Sequence, residues 1–263
     1  MSSRADLAIA ALRKGHDDLT ALVRGLTPER LTSPSAAAEW DVSQVVSHLG
    51  SGAEINLEAV RASLEGRPAP RFEFNQGVWA RWDGMTAQER QAAFPVANER
   101  LVEAYESLDP AQRASHRVDV GFLPEPVDVA TSALLRLTEF GFHDWDIRVA
   151  FDPSATLAPE AAELMADRVG SMFGWVAKPE RLQGRAGHLL LTLTDRDERL
   201  GLRIADQVEL TGPPATADGE LSLPLEAWLR LVAGRLAPKH TPGSVKVTGD
   251  LSLDDLRTIF PGF

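Results

Sequence analysis

Glu139 and His143 stand four residues apart in an apolar run, Val127–Ala150, that reads as one long helix. That spacing sets a carboxylate and an imidazole one turn apart on the same helical face, where together they can hold one metal ion. A third ligand from another helix would leave a coordination position open for chemistry. His48, about ninety residues upstream, is the candidate for that ligand. Asp146, three residues after His143, is placed to accept the second ring N–H and orient the imidazole.

Blander readings of the same residues stand beside this one. A Glu–His pair at this spacing also stabilises a helix by itself, by a few tenths of a kcal/mol. Arg136 lies three residues before Glu139 and could claim the carboxylate as an ion pair, while Asp146 could be a solvated carboxylate near the helix end. An isolated histidine such as His48 is more often a packing residue at a helix–helix contact. His16, His116, His188 and His240 have no partner at ligand spacing and read as surface or packing residues.

The elements that must position these groups are legible from periodicity. Leu7–Arg24 is amphipathic. A second long helix opens at Asp41, with Gln44 three residues on as a capping-box partner, and buries Val42, Val45, Val46 and Leu49; His48 sits at the edge of that face, and Gly66 to Pro70 ends the helix. A third runs from Thr86 to Leu108 with Pro95 interrupting it, residues 114–126 read as loop, and the fourth carries Glu139 and His143. Four helices with facing apolar stripes form a bundle, and bundle cores host metal sites. After Pro159 comes one more helix, Glu160–Val176, and then the period changes from 3.6 to 2. Leu189–Leu193, Leu200–Ile204, Val208–Leu210, Leu221–Leu223 and Val245–Val247 read as short strands, with helices at Leu225–Leu236 and Ser252–Phe260. The expected fold class is α+β, with a helical bundle over residues 1–152 and a smaller α+β domain over 153–263.

Composition narrows the function classes. The 263 residues carry a net charge of −11, and no basic stripe suited to a nucleic-acid backbone is present. No apolar run reaches the length of a membrane span and no signal peptide is apparent, so the expected location is cytoplasmic, with neither nucleic acid nor membrane as partner. The chain has no cysteine. It can form no disulfide, offer no thiolate ligand and use no cysteine nucleophile. Sulfur chemistry here would need an imported thiol. No nucleophile elbow, phosphate loop or dinucleotide fingerprint occurs.

Two segments resemble a known family. Glu39-Trp40-Asp41-Val42 followed by Val45-Val46-Ser47-His48-Leu49, and Arg136-x-x-Glu139-x-x-x-His143-x-Trp145-Asp146-x-x-x-Ala150, are similar to the two motifs of the mycothiol-dependent maleylpyruvate isomerases, which belong to the DinB-like metal-binding bundles. Ala227-Trp228-Leu229 through Gly234-Arg235 resembles a segment of that family's C-terminal domain, which is related to sterol-carrier proteins. The resemblance implies zinc on His48, Glu139 and His143, mycothiol as thiol cofactor, and Arg235, with Arg230 as the alternative, to orient a substrate carboxylate. It implies an isomerase or S-transferase in which a zinc-bound thiolate adds to a small electrophile. A thiol of pKa about 8.5 is mostly protonated at neutral pH, and coordination deprotonates it. The rival readings are a zinc hydrolase of the same fold and a non-catalytic metal- or ligand-binding module. The state of assembly, monomer or homodimer, is left open.

Overall fold

Each long helix of the N-terminal half begins at a side chain that satisfies its first backbone donors. Ser3 caps α1 (Arg4–Arg24), Asp41 caps α3 (Val42–Leu64), Thr86 caps α5 (Ala87–Glu106) and Asp128 caps α7 (Val129–Arg148). The first three are reciprocal boxes closed by Asp6, Gln44 and Glu89. In this computed structural model, which describes residues 2–262, the chain divides into two compact units, residues 1–161 and 162–263. The architecture is α+β. Among the described residues no helix is long and apolar enough to cross a membrane.

In the first unit α1, α3, α5 and α7 pack as a four-helix bundle. Pro95 does not interrupt α5, which continues past it; the proline costs one intrahelical hydrogen bond, and its ring is buried in the core. A short α2 (Pro28–Leu31) links α1 to α3. The region expected as loop holds the end of α6 (Pro110–Ser115) and β1 (Arg117–Val118), which pairs with β2 (Val127–Asp128). The fourth bundle helix therefore starts at Val129 rather than Val127, because the Asp128 side chain accepts from the Thr131 N–H.

Besides the short α6, one longer helix lies where the sequence pattern predicts none. Phe72–Asp83, α4, has no side-chain cap at Arg71 and buries Val78 and Trp82. It lacks the side-chain cap by which the long helices of the bundle begin, and its apolar stripe of Phe72, Val78, Trp79 and Trp82 is short. Trp82 anchors it: the indole Nε1 donates to Glu54 Oε1 at 3.1 Å, and the ring lies directly over Gly50 of α3.

In the second unit the expected single helix is broken in two, α8 (Pro159–Ala166, which carries the chain across from the first unit) and α9 (Val169–Val176). The strands are β3 (Gly187–Leu193), β4 (Glu198–Ile204), β5 (Val208–Thr211), β6 (Gly219–Leu223) and β7 (Lys246–Gly249), in the order β5-β4-β3-β6-β7. Only the central β3–β6 pair is parallel. Its register sets Leu191 beside Leu221 and Leu193 beside Leu223, so alternate leucines form one buried face. On α10 (Leu225–Val232) Trp228 meets Phe173 and Phe260 edge-on, each pair at 6.1 Å. Gly234, at φ +70°, ends that helical segment four residues earlier than periodicity suggested. The last helix, α11 (Leu253–Ile259), is closed by the expected Ser252/Asp255 box.

The Trp82–Gly50 contact is testable. A Cβ at position 50 would lie 2.1 Å from the indole, so Gly50→Ala must displace α4. It should cost about 1–3 kcal/mol by overpacking. Urea unfolding of the variant reads this directly, with near-wild-type stability as the contrary result.

Candidate functional site

The α3 capping box fixes the start of the helix, and His48 follows on its second turn. Just before the cap, residues 36–40 form a tight turn in which Glu39 takes a left-handed conformation, φ +67°. Such a conformation costs a non-glycine residue about 1–3 kcal/mol, and it is usually retained where geometry is functional. The turn is tied to α7 by the Ala36 N–H donating to the Asp146 carbonyl at 3.0 Å. Its product is the position of Trp40, whose ring centroid lies 5.2 Å from that of His48 and 6.1 Å from that of His143.

The two histidine rings meet edge-on, centroids 4.7 Å apart, although they come from different helices. His48 Nε2 lies 3.0 Å from Glu139 Oε1. Behind His143, the Nδ1–H donates to Asp146 Oδ2 at 2.9 Å, and Asp146 is fully buried. A carboxylate can only accept, so this bond selects the tautomer with its lone pair on Nε2. The sequence-level expectation that Asp146 orients His143 is thus met in geometry.

Glu139 is held on its other side. Arg136 Nη1 donates to Glu139 Oε2 at 2.9 Å, and Nη2 donates to the Leu49 carbonyl at 2.7 Å and to Asn98 Oδ1 at 3.1 Å. Burial alone would raise the Glu139 pKa, but Arg136 and His48 outweigh it and bring it down to about 2. The carboxylate is therefore ionised at any working pH. Gly52 makes room for this pair, since a Cβ there would sit 2.9 Å from Arg136 Nη1. So the two readings of Glu139, ligand and ion-pair partner, are compatible: one oxygen faces Arg136 and the other faces His48.

The network continues inward. Because Asn98 Oδ1 accepts from Arg136, the amide Nδ2 is the end that faces His16 Nδ1, at 3.0 Å. His16 Nδ1 must then accept, and its Nε2–H donates to Glu99 Oε2 at 2.6 Å. His16, Asp17 and Glu99 have ligand atoms all within 4.8 Å of one another and could hold an ion. Arg13 already sits among them, 2.7 Å from Glu99 and 3.6 Å from Asp17, so the cluster carries its own cation. In sequence His16 reads as a surface or packing residue, because its partners Asn98 and Glu99 lie on another helix and nothing local signals them.

Arg235 and Arg230 lie in the second unit. Arg235 is buried, with Nη1 donating to the Ala233 carbonyl at 3.0 Å. Arg230 grips Glu226 through Nε and Nη2 at 2.7 and 2.8 Å.

Burial lowers the His16 pKa below its ordinary value near 6.5, outweighing the attraction of Glu99. The unfolded chain then binds the proton more readily than the folded one. The contribution of His16 to stability is complete above about pH 6.5 and is lost as pH falls toward the depressed folded value. Denaturant unfolding from pH 8 to 5 should show His16→Gln with a flatter pH dependence than wild type; parallel curves would exclude this role.

Comparisons with known proteins agree with the architecture. A crystal structure of the mycothiol-dependent maleylpyruvate isomerase, and one of a histidine-to-alanine mutant of it, each superpose with a TM-score of 0.68 over 96% of this chain and 98% of theirs. At 15% identity that likeness concerns the fold. Two uncharacterized proteins of Mycobacterium tuberculosis, from two strains, are each 27% identical over 175 residues, 65% of this chain and 84% of theirs. The family model described as the mycothiol maleylpyruvate isomerase N-terminal domain matches residues 12–148, just over half of the chain and the stretch that contains His48, Glu139 and His143. The chain belongs to the mycothiol maleylpyruvate isomerase N-terminal domain family.

Proposed function

We propose that this protein is a mycothiol-dependent metalloenzyme, an isomerase or S-transferase acting on a small electrophile, with His48, Glu139 and His143 as the ligands of one divalent ion, zinc by preference. The observation that carries the reading is the meeting of His48 Nε2 and Glu139 Oε1 at 3.0 Å beside a His143 whose Nδ1 is committed to Asp146. Two donors about 2.0–2.1 Å from a tetrahedral zinc lie roughly 3.3 Å apart, close to the spacing found. Two imidazoles and a carboxylate suit that ion, and three protein ligands leave a position open. The domain family named for a mycothiol-dependent enzyme supports the choice of thiol, and a chain without cysteine has none of its own to use.

When bound, the ion would supply Lewis acidity that favours a thiolate at neutral pH, and mycothiol would supply the sulfur nucleophile. The chain's own residues do the rest. Arg136 keeps Glu139 charged and fixes the direction of its carboxylate. Asp146 holds the His143 tautomer whose Nε2 can ligate. Trp40 sets an aromatic ring beside both imidazoles, with centroids 5.2 Å from His48 and 6.1 Å from His143. We read residues 1–152 as the metal-binding domain and 153–263 as the sterol-carrier-like domain.

Elemental analysis and calorimetry test the reading together. Wild type should bind about one equivalent of zinc, and His143→Ala should lose most of it, because loss of one of three ligands removes a large part of the affinity. Mycothiol should bind the zinc-loaded protein and not the stripped one. Equal metal content in both proteins would remove the ligand assignment. Equal mycothiol affinity with and without zinc would transfer the function to the hydrolase or the non-catalytic binder.

A further inference from the structure

α4 has one broad apolar face with two edges. One carries Val78 and Trp82 and is seated on α3. The other carries Phe72, Asn75 and Trp79, at i, i+3 and i+7, and lines a cavity of about 490 Å³ within the first unit. His48 and Glu139 border the same cavity, as do Ile55 and Leu135. Phe122, in the segment between β1 and β2, completes the wall. Phe72, Trp79 and Phe122 are 62%, 39% and 65% exposed. Single exposed aromatics are ordinary, but three around one cavity form an apolar patch of the kind that marks a binding site. Phe72 and Trp79 already stand edge-on, centroids 5.9 Å apart, so their faces are set in place by the helix.

The polar groups narrow the ligand. Asn75 Oδ1 is buried and has no hydrogen-bond partner among the described residues, which is costly unless a ligand donates to it. Asn56 spends its Nδ2 on the Gly52 carbonyl. Arg136 is the one arginine or lysine among the lining residues, and its side chain has no exposed surface. The charged group a ligand can reach is the Glu139 carboxylate, about a third exposed. With no metal bound, a dianion would enter this cavity without an accessible cationic partner among its described lining residues.

We propose that the cavity takes an uncharged, flat aromatic or conjugated group, packed against Phe72, Trp79 and Phe122 and donating a hydrogen bond to Asn75. Its identity as the electrophile rests on the functional reading above, because the cavity opens on His48 and Glu139.

Dinitroaniline, a neutral aromatic that carries an N–H donor and no reactive leaving group, is the probe, with maleate as the dianionic comparison. Calorimetry with the full-length protein, zinc-loaded and zinc-stripped, should give dinitroaniline binding in both forms and quenching of tryptophan fluorescence, without displacement by maleate from the zinc-stripped form. Phe122→Ala, at an exposed position that does not threaten folding, should weaken binding about tenfold, as should Phe72→Ala. Asn75→Leu should weaken it as well, and Asn75→Gln should restore part of the loss. Failure of dinitroaniline to bind, displacement by maleate from the zinc-stripped protein, or unchanged affinity in the Phe122 and Phe72 variants would overturn the proposal. The probe needs neither thiol nor turnover. Dinitroaniline binding without zinc-dependent mycothiol binding would refute the mycothiol-dependent reading and leave the cavity assignment standing; the converse would do the reverse.

Discussion

A single guanidinium, that of Arg136, ties the four long helices of the N-terminal unit to the candidate metal centre. It lies on α7, has no exposed side-chain surface, and divides its donors among Glu139 on its own helix, the Leu49 carbonyl on α3 and Asn98 on α5. Through Asn98 the chain of contacts reaches His16 on α1. A buried cation tolerates little loss of partners, because removing one leaves charge uncompensated at a cost of about 3–5 kcal/mol. The relative placement of three helices is thereby coupled to the direction of one carboxylate. Small residues make the coupling possible: Gly52 lets the guanidinium approach α3, and Gly15 on α1 admits the Phe140 ring.

The two sides of Glu139 separate structure from chemistry. Oε2 is spent on Arg136, which holds the group ionised and immobile; Oε1 faces His48. The same division recurs at His143, where Nδ1 is committed to buried Asp146 and the lone pair is directed to Nε2. Each group thus has one atom anchored by the fold and another left to ligate, as in metal sites where outer hydrogen bonds orient the ligands. Trp40 adds an aromatic ring beside both imidazoles, held by a left-handed Glu39 that the turn imposes at some energetic cost.

α4 plays a different part. One edge of its apolar face is an ordinary helix contact, Trp82 on Gly50, and the other leaves aromatic rings around a cavity. Phe72, Val78, Trp79 and Trp82 recur at the three- and four-residue steps of one apolar stripe, but four such residues in three turns make a short signal. Arg71 at its N-cap offers no compensating signal.

The sequence by itself determined the four long helices, the Asp41 cap of one of them and the Ser252 cap of the last short helix, the change to strand periodicity in the second half, and the α+β class, because these depend on local spacing and on end groups a few residues apart. It also nominated His48, Glu139 and His143, two of them by i, i+4 spacing and the third by its place in a motif beside Trp40. The tertiary structure decided what no local pattern contains. It brought the His48 and His143 rings within 4.7 Å across two helices, joined Arg136 to Asn98 and Asn98 to His16, and set Phe122 on the same cavity as Phe72 and Trp79. It broke the helix after Ala166 and carried α5 through Pro95, where packing overrode the local signal. The physical reason is the same in each case: periodicity records which face of an element is apolar, whereas the partner that meets that face is chosen by packing between segments tens of residues apart.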